Sequence, residues 1–230
     1  MQSRSIEDYI KYIYQIQILE NKVSTSSLAK KLRISPASVS GMLSKLSGMR
    51  VIKNTPYHGF VLTTRGGKMA VKLIRKHRII EVFLNQLLNY GWEEVHAEAD
   101  RLEHACSDKF IEELERYLHY PKYDPHGDPI PDISGRVRGS KYTSLADAEP
   151  GKYYVVSKVI DTSNEVLRYL TKIGIKLNSR IHFTERIKLD NSVLINVKNK
   201  NHLLSRPIAG HVFVTAVNRH INEATGRKDK

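Results

Sequence analysis

Six residues in the middle of this chain have the types and the spacing to hold a cation: His77 and Glu81 stand four apart, and His96, Asp100, Glu103 and His104 follow at i, i+4, i+7 and i+8. On a helix each set falls on one face. With a tight connection around Gly91, two such helices pack antiparallel and turn imidazoles and carboxylates toward a common point, as bundle metal sites do. Any one of these residues also reads as part of a solvated acidic face, but Asp100, Glu103 and His104 together make poor helix surface unless something positive offsets the repulsion. Imidazole and carboxylate without thiolate suit manganese or ferrous iron, although zinc or cobalt also bind such donors. Cys106, the single cysteine, comes two residues after His104, about 200° round a helix, and reads as packing rather than as a ligand. The run DPHGDPIP offers Asp124 and His126 as further ligands; its plainer reading is a proline-stiffened connector. Asp8 is equally open, because with Ser5 it forms a capping-box-like pair.

These residues need elements to position them. Ile6, Ile10, Ile13 and Ile16 recur at helical spacing over residues 5–20. A short helix is expected at about Ser26–Leu32, and Ser35-Pro36 is a cap followed by proline at the first helical position, opening a helix to about Gly48. Two extended runs, Val51–Asn54 and Gly59–Leu62, flank a turn at Pro56-Tyr57-His58-Gly59. Helix, helix-turn-helix and a two-stranded wing is the order of a winged helix-turn-helix domain. Leu28, Leu32, Ile34, Val39, Met42, Leu43 and Leu46 supply its core. The spacing then predicts helices over Thr64–Tyr90, Trp92–Ala105 and Asp108–Leu118, the last capped by Ser107. Beyond Pro150 the texture turns to short strands, Lys152–Ile160, Arg180–Ile187, Ser192–Val197 and His211–Val217, with one helix at Glu165–Thr171. That pattern suits a small barrel. The polar tail, Glu223–Lys230, reads as frayed.

Charge divides the chain the same way. The net charge of +13 separates into +12 over residues 1–80, −9 over 81–132 and +10 over 133–230. The first block suits phosphates and the second suits cations, although net charge speaks to association and not to fold. No run approaches a membrane span and the N-terminus lacks a signal-peptide core, so a soluble cytoplasmic protein is expected. There is no Ser-His-Asp grouping, Gly-rich phosphate loop or CxxC pair, and no catalysis is expected.

SIEDYIKYIY, SSLAKKLRISPASVSGMLSKL, YHGFVLTTRGGKMA, IRKHRIIEVFL, VHAEADRLEHACSD and YPKYDPHGDPIP together resemble the diphtheria toxin repressor and manganese-transport-regulator family of metal-dependent repressors. The resemblance implies a mainly α protein with a β C-terminal domain. Its parts are a winged helix-turn-helix DNA-binding domain (1–73), a helical metal-binding and dimerisation domain (74–140) and a Src-homology-3-like, ferrous-iron-transport-A-like barrel (150–222). It also implies a homodimer on palindromic operator DNA, with Mn(II) or Fe(II) at about two sites per chain. One site matches Asp8, Asp100, Glu103 and His104. The other matches His77, Glu81 and His96, with Asp124, His126 and a third-domain carboxylate, Asp161 or alternatively Glu165, as additions. Lys11 stands where some manganese-type members carry a Glu ligand, which argues against a two-metal cluster at that site, and Gly41 stands where the family often has Gln.

The expected mechanism is that acidic faces repel one another and leave the first helix loosely placed until a cation ties Asp8 to the middle domain. Ser35, Ala37, Ser38, Ser40 and Gly41 then face the major groove, while Lys30, Lys31, Lys45 and His58 sit nearer phosphate. A winged-helix regulator answering to a small organic ligand would leave the histidine and carboxylate faces unexplained, and a metallohydrolase would leave the basic winged domain unexplained.

Overall fold

The structure, a computed structural model, describes residues 4–20, 22–55, 59–137, 139, 141–160 and 163–217. It divides into two compact units. The first comprises Met1–Ile80, Glu98–Pro121 and Ile130–Arg138; the second comprises Glu81–Ala97, Lys122–Pro129 and Gly139–Lys230.

The first unit opens with α1 (Arg4–Glu20), α2 (Thr25–Leu32) and α3 (Pro36–Gly48), followed by the antiparallel pair β1 (Ile52–Thr55) and β2 (Gly59–Leu62) in the register Ile52↔Leu62. Local chemistry explains these boundaries. Ser24 and Ser27 form a reciprocal capping box that starts α2, each backbone N–H donating 3.0 Å to the other's Oγ. Ser35 caps α3, accepting from Ser38 N at 3.2 Å. The intervening turn runs through Arg33 in the left-handed region, φ 56°. Ile6, Tyr9, Ile10, Ile13 and Ile16 of α1 join Leu28, Val39, Leu43, Leu46 and Val51 in one core. The amphipathic face read from the sequence is therefore the face that holds α1 to the helix-turn-helix.

Three further helices follow: α4 (Thr64–Leu88), α5 (Val95–Leu102) and α6 (Asp108–Tyr117). The middle one is shorter than the expected Trp92–Ala105. At its start the chain makes a separate turn, with Glu94 N bonded to Gly91 O at 2.9 Å and Gly91 N to Glu94 Oε2 at 2.9 Å. At its end Ala105 N and Cys106 N both converge on Leu102 O at 3.0 Å. The chain must turn there because Ser107, whose Oγ accepts from Phe110 N at 3.2 Å, already caps α6. Glu103 and His104 consequently lie in a turn and not on a helix face.

The second unit is built on an antiparallel sheet of six strands ordered β3-β8-β4-β5-β6-β7: β3 (Thr143–Ser144), β4 (Lys152–Val159), β5 (Arg180–Arg186), β6 (Val193–Val197), β7 (Lys200–Leu204) and β8 (Val212–Val217). Helices α7 (Asn164–Lys172) and α8 (Arg206–Gly210) complete it. Register shifts at Val156/Lys158 and Phe183/Glu185 are places where a sheet bends and its twist increases. The sequence reading anticipated four of these strands and missed β3, β7 and α8. The β6–β7 hairpin turns on Lys198 and Asn199, both at positive φ, and neither carries the glycine that marks such a turn most clearly. Trp92 belongs to this unit's core with Leu167, Leu170, Phe183 and Ile195, and its Nε1 donates to Thr171 Oγ1 at 2.8 Å. The tail Glu223–Lys230 lies outside the described residues.

Candidate metal centres and nucleic-acid face

Helix α1 meets the end of α5 and the turn after it through particular atoms. On α1 the positions opposite the apolar stripe carry Glu7, Asp8 and Lys11. His104, in the turn after α5, sits between the two carboxylates: its Nδ1 is 2.6 Å from Glu7 Oε2 and its Nε2 is 3.0 Å from Asp8 Oδ1. Glu103 has no exposed side-chain surface, and its Oε1 lies 3.5 Å from His104 Nε2. Asp8, Glu103 and His104 each offer a ligand atom within 4.8 Å of the others. One imidazole and two carboxylates around a partly buried point form a donor set that fits manganese or ferrous iron. Burial pushes the Asp8 carboxyl above its ordinary value, although His104 and Lys11 pull it back; carboxylate charge held out of water favours a cation beside it.

Glu7 is the residue that sequence reasoning missed at this site, and Lys11, noted only as a departure from the family's glutamate, proves to bond to its carboxylates. Lys11 Nζ donates to Asp100 Oδ1 at 2.6 Å and to the Glu103 oxygens at 2.8 and 3.1 Å. The unrelieved like-charge repulsion expected here is corrected: an ammonium on α1 offsets the carboxylates and bonds across to them. Burial pulls the Lys11 ammonium toward its neutral form, but the charges of Glu103 and Asp100 more than reverse that and hold its pKa above the ordinary lysine value. His77 also belongs here, with Nδ1 2.6 Å from Glu103 Oε2 and 3.4 Å from Asp100 Oδ1.

The second unit gathers its own set. Glu81, Asp124 and His126 are all buried and offer ligand atoms within 4.8 Å of one another. His96 Nδ1 approaches Glu81 Oε1 at 3.2 Å. Asp124 Oδ1 accepts from the amides of His126 and Asp128 at 2.8 and 2.9 Å, so the proline-rich run is an ordered loop folded round this carboxylate. His126 Nε2 donates to Trp92 O at 2.7 Å, and the ring stacks on Trp92. Of the set expected as His77, Glu81 and His96, His77 falls in the first unit and Glu81 and His96 in the second. Glu165 is exposed in the first turn of α7, and Asp161 lies outside the described residues. Cys106 appears in none of the ligand groups found among the described residues, and burial raises its thiol pKa.

The face of α3 away from the core presents Ala37, Ser38, Ser40, Gly41 and Lys45, all exposed, and Lys30 and Lys31 of α2 are exposed as well. Three hydroxyls already have partners: Ser35 Oγ serves the helix cap and shares a hydrogen bond with Ser38 Oγ at 2.9 Å, and Ser40 Oγ donates to Pro36 O at 3.0 Å. Nothing lies within 4 Å of where a Cβ on Gly41 would stand, so an approaching surface can come close to the α3 backbone there. His58, the wing residue, is outside the described residues.

A winged helix-turn-helix whose first helix also carries cation ligands is the layout of a metal-responsive DNA-binding regulator. The chain belongs to the iron-dependent repressor family. It matches the family's N-terminal DNA binding domain over residues 1–60, its metal binding and dimerisation domain over 63–132, and a FeoA domain over 143–216. The iron-dependent repressor IdeR of Mycobacterium leprae is 26% identical over 92% of this chain and 96% of its own. A solved manganese-dependent transcriptional repressor in complex with manganese is 32% identical, covers 92% of this chain and 100% of its own, and superposes with a TM-score of 0.82. ScaR, solved with bound Cd2+, is 34% identical over 92% of this chain and 99% of its own, TM-score 0.78. The chain is a metal-dependent, DNA-binding transcriptional repressor of metal homeostasis with a dimerisation domain.

Proposed function

We propose that this repressor responds to Mn(II) or Fe(II) through two sites per chain, acting as a cytoplasmic homodimer on a palindromic operator and catalysing no reaction. In this reading residues 1–73 bind DNA, 74–140 bind metal and dimerise, and 150–222 form the third domain. The observation that carries it is the Asp8–Glu103–His104 group. Asp8 stands on a helix whose opposite face is part of the helix-turn-helix core, so charge balance at this group and placement of the reading helix are one mechanical problem. Asp8, Glu103 and His104, with Asp100 beside them, would hold the ion, which supplies two positive charges where carboxylates crowd. Glu81, Asp124 and His126, with His96 on Glu81, form the second site, and His77 braces Glu103.

On DNA, Ala37 and Gly41 allow close approach to base edges and Ser38 offers a hydroxyl, while Ser35 and Ser40 shape the helix that presents them. Lys30, Lys31 and Lys45, together with His58, position the domain on phosphates. The test is a gel-shift titration of operator DNA in chelator and then in micromolar manganese. Tight, specific binding in manganese and weak binding in chelator are expected; equal affinity in both would overturn the reading. Within the same assay, Asp8→Ala should reduce activation more deeply than His77→Ala, whose loss excess manganese should recover.

A further inference from the structure

Lys11 is 3% exposed, and its ammonium sits among donors of the kind a divalent ion collects. Nζ lies 2.6 Å from Asp100 Oδ1, 2.8 and 3.1 Å from the two Glu103 oxygens, and 3.4 Å from His77 Nδ1. A buried ammonium is held this way only when carboxylates compensate it. Glu103 is also shared, because Oε1, the oxygen closest to Lys11, lies 3.5 Å from His104 Nε2 in the candidate metal triad.

We infer that Lys11 is a resident cation of the metal centre: tethered to α1, it competes with the divalent ion for Glu103 and thereby sets how much metal the repressor needs. The inference rests on the reading of Asp8, Glu103 and His104 as a metal site. Two effects have the same origin. The lysine charge opposes a second positive charge a few ångströms away, and its hydrogen bonds hold the carboxylate that the ion must share. The same bonds link α1 to Asp100 and Glu103, so Lys11 also contributes to docking that the ion would otherwise have to provide alone.

The experiment compares wild type, Lys11→Met and Lys11→Arg, with Mn(II) affinity read by calorimetry and thermal unfolding followed with and without Mn(II). Lys11→Met should bind Mn(II) at least tenfold more tightly, unfold at a lower temperature in chelator, and gain more from added Mn(II) than wild type. Lys11→Arg, which keeps the charge, should stay within about twofold of wild-type affinity. Lys11→Met that is folded and binds Mn(II) no more tightly overturns the inference.

A second measurement needs no variant. In lysine-selective nitrogen NMR of the wild type in chelator, one ammonium signal should be protected from exchange and should move when Zn(II), a diamagnetic probe, is added. Absence of that signal, or its indifference to bound Zn(II), also overturns the inference. Failure of both Mn(II) and Zn(II) to bind wild type in equilibrium dialysis would instead overturn the reading of the site itself.

Discussion

His104 has a carboxylate at each ring nitrogen, Glu7 at Nδ1 and Asp8 at Nε2. Were Nε2 to hold a cation, an Nδ1–H would still donate to Glu7, and a carboxylate behind a ligating histidine orients the ring. In that arrangement Glu7 would act as a positioning residue for His104. Glu7→Gln should leave the fold unchanged and weaken Mn(II) binding by roughly 10- to 100-fold, measured by calorimetry on the full chain. Unchanged affinity would mean that packing alone orients His104. Glu103 differs in kind. Its side chain is wholly buried and serves Lys11 and His77 together, so removing its charge leaves the Lys11 ammonium with Asp100 as its remaining carboxylate and destabilises the fold. A Glu103 variant thus tests stability and metal binding at once, whereas Glu7 separates them.

At the scale of elements, the ion pairs between α4 and α6 and the loop at Gly127 each tie chemistry to backbone. Asp108, in the first turn of α6, pairs with Lys72 and, at 2.9 Å, with Lys76, both on α4. Hydrogen bonds from Lys72 and then Lys76 hold its carboxyl below the usual aspartate range. A folded-state pKa lowered in this way contributes stability that is present above the unfolded pKa, about 3.9, and is lost as pH falls through the folded value. Asp108→Asn should therefore be less stable than wild type at pH 6, with the gap closing in acid. Urea denaturation across that range checks it, and a gap that persisted in acid would assign the effect to something other than the charge.

Gly127 sits at φ 89°, and a Cβ there would come within 2.2 Å of Ser157 O on β4. Beside it, Val159 N donates to His126 O at 2.8 Å. Gly127→Ala should cost about 1–3 kcal/mol from the backbone conformation and the clash. It should also loosen Asp124 and His126, giving fewer ions per chain in equilibrium dialysis. A variant with wild-type stability and ion count would show that the loop yields without disturbing the site.

At the scale of the whole molecule, the basic block of residues 1–80 carries Lys30, Lys31 and Lys45 exposed around α2 and α3. Counterion release makes the logarithm of the binding constant fall with the logarithm of salt concentration by about 0.9 per phosphate contact. Three such contacts on each protomer of a dimer give a slope near −5. Lys45→Ala should reduce its magnitude by about 2 while weakening binding to all sequences alike. Fluorescence anisotropy at several salt concentrations measures this. An unchanged slope would place Lys45 away from the backbone. No helix among the described residues is long and apolar enough to cross a membrane.

Much of this protein was determined by the sequence acting locally. Serines before α3 and α6, proline at the first turn of α3, and the apolar stripe of α1 specify elements through neighbours a few residues away, and they are found where the pattern placed them. The ligand types of the two candidate sites were also legible, because histidine and carboxylate at helical spacing are few and expensive to crowd. The tertiary structure decided the partners. Lys11 stood out only as a lysine where relatives carry glutamate; its partner, Glu103, lies 92 positions along the chain and appears only when α1 packs. Glu7 gave no signal for the same reason. His77 joined Glu103 while Glu81 joined Asp124 and His126, although spacing along one helix had paired His77 with Glu81. Spacing says which side chains share a face, but burial decides which charges must be compensated, and the compensating group is whichever one the packed chain brings within hydrogen-bonding distance.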